Sequence, residues 1–473
     1  MSQAALDRDA ALGGDPAAAA RAREDELLAA CESLVGLALR AGAHEAEAFA
    51  TRTDKASATF EKGDLKLAHV DEGASIGLRV FRDARLGFAA TNQFDRAALE
   101  TAARAAVALA AASPADPANR LPDARPVAAS AGLAHAGLAA AGIEEAVDLG
   151  HGLVRGARAF DARISVDGAS AGVLRVSQAI HSSRGVRAAE SDALVTLSIS
   201  GMALDGTEVG GFHYQSDAVR DPARIAPAAR ELVDAFARVT AGNLGAERAR
   251  SSYQGPVLFS PDALLDLFVA PVLAATSAIA VQRGRSALAT RLHERIASAG
   301  FTILDRPDDT ELAGAGSFDR EGQPALPFAL VEDGWLRGWM YNGYAAAVAG
   351  RLSTGHARGG ARSVPGLGAH AVSVAPGAGG SRADLVRALG RGLLVQRFSG
   401  SVDPASGDFS GVAKSSRWVE GGREVGPVRE TLLSGNAYAL LARIALVGGV
   451  AERVDGAARA PWALVDGVDV TAG

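Results

Sequence analysis

The hydrophobic period of this 473-residue chain changes from helical to alternating twice, in the same order, within its first half. Apolar side chains recur at three- and four-residue spacing from residue 23 to Gly42, which predicts a helix that ends at this glycine. Short apolar runs separated by turn residues at Gly63-Asp64, Glu72-Gly73 and Asp83-Ala84 continue to Thr91, and Asp95–Ala112 is predicted to be helical. A helix, several strands and another helix are predicted again between residues 142 and 240. This pattern restricts the first half to two related helix–meander units.

Prolines and glycines divide the chain into a tail and two domains. Residues 113–126 contain four prolines, which predicts an irregular connection because proline fixes φ and removes a hydrogen-bond donor. From Phe301 onward the segments are short, β-like and rich in glycine. The predicted fold class is α+β, with an N-terminal region of two helix–meander units and a C-terminal β-rich, barrel-like domain with flanking helices. The predicted boundaries are 1–22 for a flexible N-terminal tail, 23–245 for the N-terminal domain (about 23–112 and 127–245, joined by the linker 113–126) and 252–473 for the C-terminal domain.

One apolar segment, Leu267–Val281, has to be distinguished from a membrane span. It holds only 15 residues and contains Pro271, whereas a span needs about 20 apolar residues. We therefore predict a buried core helix there, followed by another helix at Ala289–Ala299, and expect no membrane partner.

Charge and cysteine content exclude several classes of function. Lys and Arg number 48 against 54 for Asp and Glu, so the formal net charge is −6, and no basic block is present. Such a chain is a poor nucleic-acid binder, because phosphate contacts need clustered cations. Cys31 is the only cysteine, which excludes intrachain disulfides, cysteine-based zinc fingers and iron–sulfur clusters. We expect a small packed thiol at Cys31 and a cytoplasmic protein.

The histidines predict no metal site. None of the nine is paired at the short spacing of a helical zinc motif. His293-Glu294 begins like such a motif, but Ala297 and Ser298 stand where the second histidine is needed. We interpret this pair as a solvated surface of the predicted helix.

The sequence matches a nucleophile motif, but the predicted secondary structure around it does not fit that motif. Gly168–Gly172 matches G-x-S-x-G around Ser170. It precedes a predicted strand, whereas a nucleophile elbow joins a strand to a helix. An independent hydrolase that uses Ser170 is therefore the weakest of the functional hypotheses.

A collinear series of motifs identifies a resemblance that covers about residues 30–450. The C-terminal part of the series strongly resembles the TldD/PmbA family, in which similar motifs close the chain. Ser353-Thr354-Gly355 also matches, although His356 replaces the usual asparagine of the family. The other matching motifs are Gly77–Val80, Leu86–Ala89, Tyr253–Val257, Gly334–Leu336, Gly407–Ser410, Trp418–Gly422, Pro427-Val428 and Ser434–Asn436.

The resemblance implies which branch of the family this chain joins. The TldD branch is a zinc peptidase that carries H-E-x-x-x-H on a helix. The best ungapped register places Val269, Ala270 and Ala274 at these three ligand and base positions. Apolar side chains cannot bind zinc. The chain thus resembles the metal-free PmbA/TldE branch, with no cofactor of its own and with zinc expected in a TldD-like partner.

The same resemblance implies a function and a set of contact residues. The chain would form a heterodimer with a TldD-like zinc peptidase and help to enclose a chamber for extended peptides, including leader peptides and labile small proteins. Alternatively, it acts without a peptidase partner as a peptide-binding or scaffold homo-oligomer, and a homodimer remains open. Asp408 and Asn436 also fit ordinary turn and cap roles. The candidate peptide or partner contacts are Arg283, Arg285, His356, Asp408 and Asn436.

Overall fold

The computed structural model describes residues 16–128 and 133–472. The helices in this part of the chain are α1 (Pro16–Arg40), α2 (Arg96–Ala112), α3 (Ile143–Phe160), α4 (Pro222–Gly242), α5 (Pro261–Leu264), α6 (Ala270–Ala275), α7 (Ala278–Gln282), α8 (Gly343–Ala349), α9 (Arg382–Leu389) and α10 (Ala437–Leu441), with a short 3-10 helix at Ala136–Leu138 and a π-helical turn at Leu265–Val269. The strands are β1 (Glu45–Glu61), β2 (Asp64–Arg82), β3 (Arg85–Thr91), β4 (Ile164–Ser182), β5 (Arg187–Asp205), β6 (Glu208–Val209), β7 (His213–Val219), β8 (Tyr253–Phe259), β9 (Ile303–Asp305), β10 (Phe328–Glu332), β11 (Trp335–Leu336), β12 (Ala357–Arg358), β13 (Gly366–Leu367), β14 (Val372–Val374), β15 (Gly392–Val395), β16 (Arg397–Val402), β17 (Asp408–Lys414), β18 (Ser416–Glu420), β19 (Arg423–Val428), β20 (Thr431–Asn436), β21 (Ile444–Val454) and β22 (Ala458–Thr471).

The two helix–meander units share one seven-stranded sheet. Its order is β3-β2-β1-β4-β5-β6, with β7 paired to β5. The long antiparallel pairing of β1 with β4 joins the units. Ala46, Ala48 and Ala50 of β1 pack against α1 and α2. Glu47 and Phe49 alternate with these alanines, so they face the opposite side, where the C-terminal half packs.

Two predictions in this half need adjustment, and one is confirmed. The first helix begins at Pro16, so residues 16–22 of the predicted tail are helical, and the remainder of that tail lies outside the described residues. The predicted turn at Glu72-Gly73 is wrong, because these residues pair with Asp54 and Thr53 inside the continuous strand β2. Cys31 is fully buried, as predicted for a packed thiol, and burial raises its pKa above the usual range.

The C-terminal half is organised around β22, which pairs with β8, β14, β20 and β21 in a thirteen-stranded sheet. Within the described residues the pairings branch and do not close into a ring. Most of the apolar side chains of α5, α6 and the intervening π-helical turn are buried under this sheet. Helices and extensive sheets together confirm the α+β class.

The most apolar segment, Leu267–Val281, is largely buried as predicted, but it is not one helix. It passes through the π-helical turn into α6, breaks at Thr276-Ser277, and continues as α7. Pro271 has no N–H to donate, which fits an irregular hydrogen-bond pattern just before it. None of the described helices is long and apolar enough to cross a membrane.

The helix predicted at Ala289–Ala299 is absent from the structure. Backbone groups of this segment bond instead to the hairpin of β10 and β11: His293 N–H donates to Leu336 O at 2.9 Å, and Leu336 N–H donates to Glu294 O at 2.9 Å. These long-range hydrogen bonds replace the helical ones. His293 and Glu294 therefore lie on an exposed turn rather than on a helix, with His293 at φ 64°.

A buried ion cluster ties the first sheet to the C-terminal half. Arg79 of β2 donates to Glu47 Oε2 and to Glu321 Oε1, both at 2.7 Å. Arg320 donates to the other oxygen of Glu47 at 3.0 Å. Burial acts to lower the pKa of Arg79, but the charges of Glu47 and Glu321 outweigh it and hold this pKa above its usual value. The cluster thus explains why the arginine of the Gly77–Val80 motif is inside the protein.

Candidate functional site

The three positions that correspond to the family's zinc motif have side chains without a metal-ligating atom, and these side chains do not face a common point. Val269 is buried in the core, whereas Ala270 and Ala274 are exposed. Methyl and isopropyl groups cannot coordinate a metal ion, so these residues do not fit the zinc of the family's peptidase branch. This helical segment presents alanine methyl groups to solvent.

The Tyr438 hydroxyl links the loop that contains Pro404 to the helical segment that contains Pro271. The hydroxyl lies 3.0 Å from Pro271 O and 2.6 Å from Pro404 O. Burial, together with the charge of Asp403, raises the pKa of Tyr438 to about 12. Gly407 has φ 85°, and a Cβ there would lie 2.4 Å from the Tyr438 ring, so this motif position requires glycine.

Asp408 and Asn436 are brought into direct contact as neighbours across β17 and β20. Asn436 Nδ2 donates to Asp408 Oδ1 at 2.8 Å and to Ser406 O at 2.9 Å. Asn436 Oδ1 accepts the Ala439 N–H at 3.1 Å and caps α10. Hydrogen bonds from Asn436 and Ser406 hold the pKa of Asp408 below its usual value. Both residues therefore have turn and cap roles beside the alanine-lined segment.

Arg283 and Arg285 follow α7, at the end of the same helical segment. They flank Gly284, which has φ 64°, and both side chains are exposed. Neither arginine forms an ion pair within the described part of the chain. They are available as cations to a carboxylate from outside the chain.

His356 has a different environment from the other four candidate contacts, because its side chain is enclosed. Its ring meets Phe328 edge-on at 4.9 Å, and Nε2 lies 3.2 Å from Asp305 Oδ2. His370 Nδ1 lies 3.1 Å from the same oxygen. Burial lowers the pKa of His370 despite the nearby charge of Asp305. An enclosed side chain is not available to a peptide at the surface, and His356 instead forms one buried group with Asp305 and His370.

A cleft of about 830 Å³ opens between the two halves of the chain. Its walls include the hairpin residues 207–212, residues 397–399 and residues 428–430. Within the described part of the chain, β16 pairs on one side only, with β17, and Ser399 and Gly400 are exposed. An open strand edge beside a cleft is the geometry that accepts an added peptide strand.

Arg397 connects this cleft to α5. Its Nη1 donates to Tyr214 O at 3.0 Å, and its guanidinium lies 3.5 Å from the centre of the Tyr214 ring. The same nitrogen is 3.4 Å from Asp262 Oδ1. Arg397 thus links the cleft wall to Asp262, its carboxylate partner in α5.

The carboxyl of Asp262 should make stability depend on pH. Burial, assisted by the charges of Asp455 and Asp266 and opposed by Arg397, raises its pKa to about 6 from 3.8. The folded chain therefore retains a proton that the unfolded chain loses, and this stabilisation, present below about pH 4, declines as the pH rises to about 6. We expect Asp262→Asn to flatten this decline, measured as urea-unfolding midpoints from pH 4 to 8. An unchanged slope in the variant would assign the decline to other groups.

The sequence did not reveal Asp305, His370 or Arg397 as site residues. His356 and His370 are 14 residues apart and Asp305 is 51 residues before His356, so no local spacing motif includes them. The antiparallel pairing of Asp305 with Val372 brings Asp305 to His370, and the Gly368 N–H donates to His356 O at 3.1 Å, which brings His356 to them. Knowledge of this strand pairing is the signal that could have found the group.

Ser170, which was predicted to precede a strand, lies within one. It is in the middle of β4 and its Oγ is 2.9 Å from Ser198 Oγ. No strand-to-helix elbow is formed there, so the arrangement does not support a nucleophile.

Sequence comparisons match this chain to PmbA and TldD metallopeptidases. A profile described as the PmbA/TldA metallopeptidase C-terminal domain matches residues 252–472, and one described as PmbA/TldA metallopeptidase domain 1 matches residues 46–110. The metalloprotease PmbA homolog of Haemophilus influenzae is 27% identical over 430 residues, which are 89% of this chain and 91% of the relative. The metalloprotease TldD homolog of the same organism is 27% identical over 406 residues, 81% of this chain and 80% of the relative.

A solved structure shares the fold. TldE from Thermococcus kodakarensis superposes with a TM-score of 0.84 at 22% sequence identity, covering 93% of this chain and 100% of that chain. The two profile matches together span more than half of the sequence.

Proposed function

This chain belongs to the TldD/PmbA metallopeptidase family, and from that premise we propose that it is the PmbA/TldE-like subunit, without the catalytic zinc motif, of a heterodimeric zinc peptidase. Its partner would be a TldD-like subunit that holds zinc and cleaves the peptide. The present chain would complete the chamber, bind the partner and hold extended substrate, such as unfolded peptides and leader peptides.

One observation carries the proposal: the three zinc-motif positions hold Val269, Ala270 and Ala274. Two of these side chains are exposed alanines and the third is buried in the core. A metal-bound water needs three protein ligands to hold the ion. We therefore assign no catalytic step to this segment.

Two further features support a role in holding peptide. The open edge of β16 beside the cleft offers backbone hydrogen bonds, which grip an extended peptide largely independently of its sequence. Arg283 and Arg285 offer exposed cations to carboxylates of the peptide or the partner. Such exposed charges act mainly on the rate of association and on partner choice.

Co-expression with a TldD-like protein tests the proposal. We expect the two chains to co-purify, zinc to be found in the complex, and an unfolded peptide to be cleaved only when both chains are present. Cleavage by the isolated chain would overturn the proposal. Peptide binding by the chain alone, with no association with a TldD-like subunit, would support the homo-oligomeric binding protein instead.

Charge reversal at the two exposed arginines tests whether they contribute to partner or peptide binding. We expect Arg283→Glu combined with Arg285→Glu to weaken partner or peptide binding by about tenfold or more, because two attractive charges become repulsive. The matched control is Arg96→Glu combined with Arg104→Glu on the exposed face of α2, which makes the same change in net charge. Equal effects of the two pairs would remove the specific role of Arg283 and Arg285.

A further inference from the structure

Three buried side chains from separate segments present metal-ligating atoms to one point. Asp305 ends β9, His370 precedes β14, and His356 follows the Ser353-Thr354-Gly355 motif. Their ligand atoms all lie within 4.8 Å of one another. His356 is 1% exposed and Asp305 is 0% exposed, so bulk solvent does not satisfy these groups.

Backbone hydrogen bonds hold the carboxylate of Asp305 in place. Its Oδ1 accepts the N–H of Ala371 at 2.7 Å, and both oxygens lie 2.9 Å from the N–H of His370. This arrangement directs Oδ2 toward the two imidazoles. Oδ2 is 3.1 Å from His370 Nδ1 and 3.2 Å from His356 Nε2.

The ring of His356 is oriented by Thr354. The Thr354 hydroxyl accepts the Tyr341 N–H at 2.8 Å and lies 3.2 Å from Tyr341 O, to which it can donate its only proton. His356 Nδ1 is 2.8 Å from this hydroxyl. With the proton given to Tyr341 O, the hydroxyl accepts from Nδ1–H, which leaves a lone pair on Nε2.

Among the described residues, no group forms a hydrogen bond with the buried Nε2 atom of His356, although Asp305 Oδ2 is 3.2 Å away. The two atoms are therefore not aligned for a hydrogen bond. A lone pair and a carboxylate oxygen at this distance repel each other, and a cation bound to both removes the repulsion. Ligand bonds of about 2.0–2.2 Å give ligand-to-ligand distances compatible with those between Oδ2 and the two imidazole nitrogens.

We propose that Asp305, His356 and His370 bind one divalent transition-metal ion of the Zn²⁺ type. Two imidazoles and one carboxylate favour such an ion over Mg²⁺, which prefers oxygen ligands. The ion would tie the loop containing His356 to β9 and β14, and a water molecule would take a remaining position. The site shares no residue with the segment containing Val269, Ala270 and Ala274, so it is distinct from the zinc site of the peptidase branch.

Metal analysis of the tag-free, full-length chain tests this site. After removal of bound metal with a chelator, we expect the chain to take up one Zn²⁺ per molecule in calorimetric titration and to melt at a higher temperature. Mg²⁺ at the same concentration should produce neither effect. Absence of stoichiometric Zn²⁺ uptake by the wild-type chain would overturn the proposal without recourse to any variant.

Substitutions locate the ion. His356→Gln and His370→Gln are each expected to weaken Zn²⁺ binding by more than about 100-fold, since loss of an outer-shell partner alone costs about 10–100-fold. The matched control is His213→Gln, which removes an equally buried histidine elsewhere. Wild-type affinity in both site variants, or an equal loss in the control, would overturn the assignment.

Two milder variants separate metal binding from packing. Thr354→Val removes the hydroxyl that orients His356 and should weaken Zn²⁺ binding by about 10–100-fold. Arg358 lies close enough for its charge to interact with Asp305, so Arg358→Gln should tighten binding, because a competing cation is removed. Opposite shifts in the two variants support the site, and unchanged affinity in both contradicts it.

Discussion

Replacing Arg79 by methionine is expected to lower the free energy of unfolding by about 3–5 kcal/mol, the usual effect of removing one partner from a buried ion cluster. Arg79 is 5% exposed, and it bridges Glu47 and Glu321, which are each 1% exposed. Without the guanidinium, the one remaining hydrogen-bond donor to Glu321 among the described residues is the N–H of Gly343 at 2.5 Å, and the one to Glu47 besides backbone groups is Arg320. A buried carboxylate that has lost its cation destabilises the folded chain. Urea unfolding measures the effect.

Two variants make the Arg79 experiment specific. Adding Glu321→Gln to Arg79→Met should recover part of the loss, because the unpaired charge is removed. Arg96→Met, which removes a side chain paired with Glu100 on the exposed face of α2, should cost less than about 1 kcal/mol. A cost for Arg79→Met no larger than that of Arg96→Met would show that the buried cluster does not stabilise the fold.

Replacing Gly77 by alanine is expected to cost about 1–3 kcal/mol or more through overpacking. A Cβ at this position would lie 1.8 Å from the carbonyl oxygen of Ala361 and 3.2 Å from the Phe88 ring. The backbone at Ala361, which belongs to the C-terminal half, would have to move away from β2. The glycine of the Gly77–Val80 motif thus permits the close approach of the two halves, and its neighbour Arg79 holds them together.

The same strand offers a matched control for Gly77. Gly73 lies four residues earlier in β2, and a Cβ there would meet no atom within 4 Å. Gly73→Ala should therefore be neutral or stabilise by about 0.5–1 kcal/mol, because alanine loses less backbone entropy on folding. Thermal and urea unfolding of both variants measure the difference. If Gly77→Ala were as stable as Gly73→Ala, close approach at Ala361 would not be the reason for glycine.

These contacts extend toward the group of buried histidines. Arg320 N–H donates to Ala357 O at 2.9 Å, and Ala357 N–H donates to Asp319 Oδ2 at 2.9 Å. Ala357 directly follows His356. The loop that carries Arg320 and Glu321 is therefore bonded on one side to the first sheet and on the other to the segment that carries His356.

Local patterns in the sequence predicted the elements whose structure depends on neighbouring residues. The change from helical to alternating period identified α1 to α4 and the strands between them, since a period reports which side chains share a buried face. The same reasoning was wrong at Ala289–Ala299, where hydrogen bonds to the β10–β11 hairpin replace a helix. It was also wrong at Glu72-Gly73, where pairing with β1 keeps the strand continuous.

The sequence by itself determined the α+β class, the family motifs and the lack of donor atoms at Val269, Ala270 and Ala274, because each depends on residue type and local order. Only the tertiary structure decided that Arg79 lies between Glu47 and Glu321, and that Asp305, His356 and His370 meet. Glu321 is 242 residues from Arg79 in the chain. Strand pairing and the packing of the two halves set such contacts, and neither is encoded in the spacing of the residues that meet.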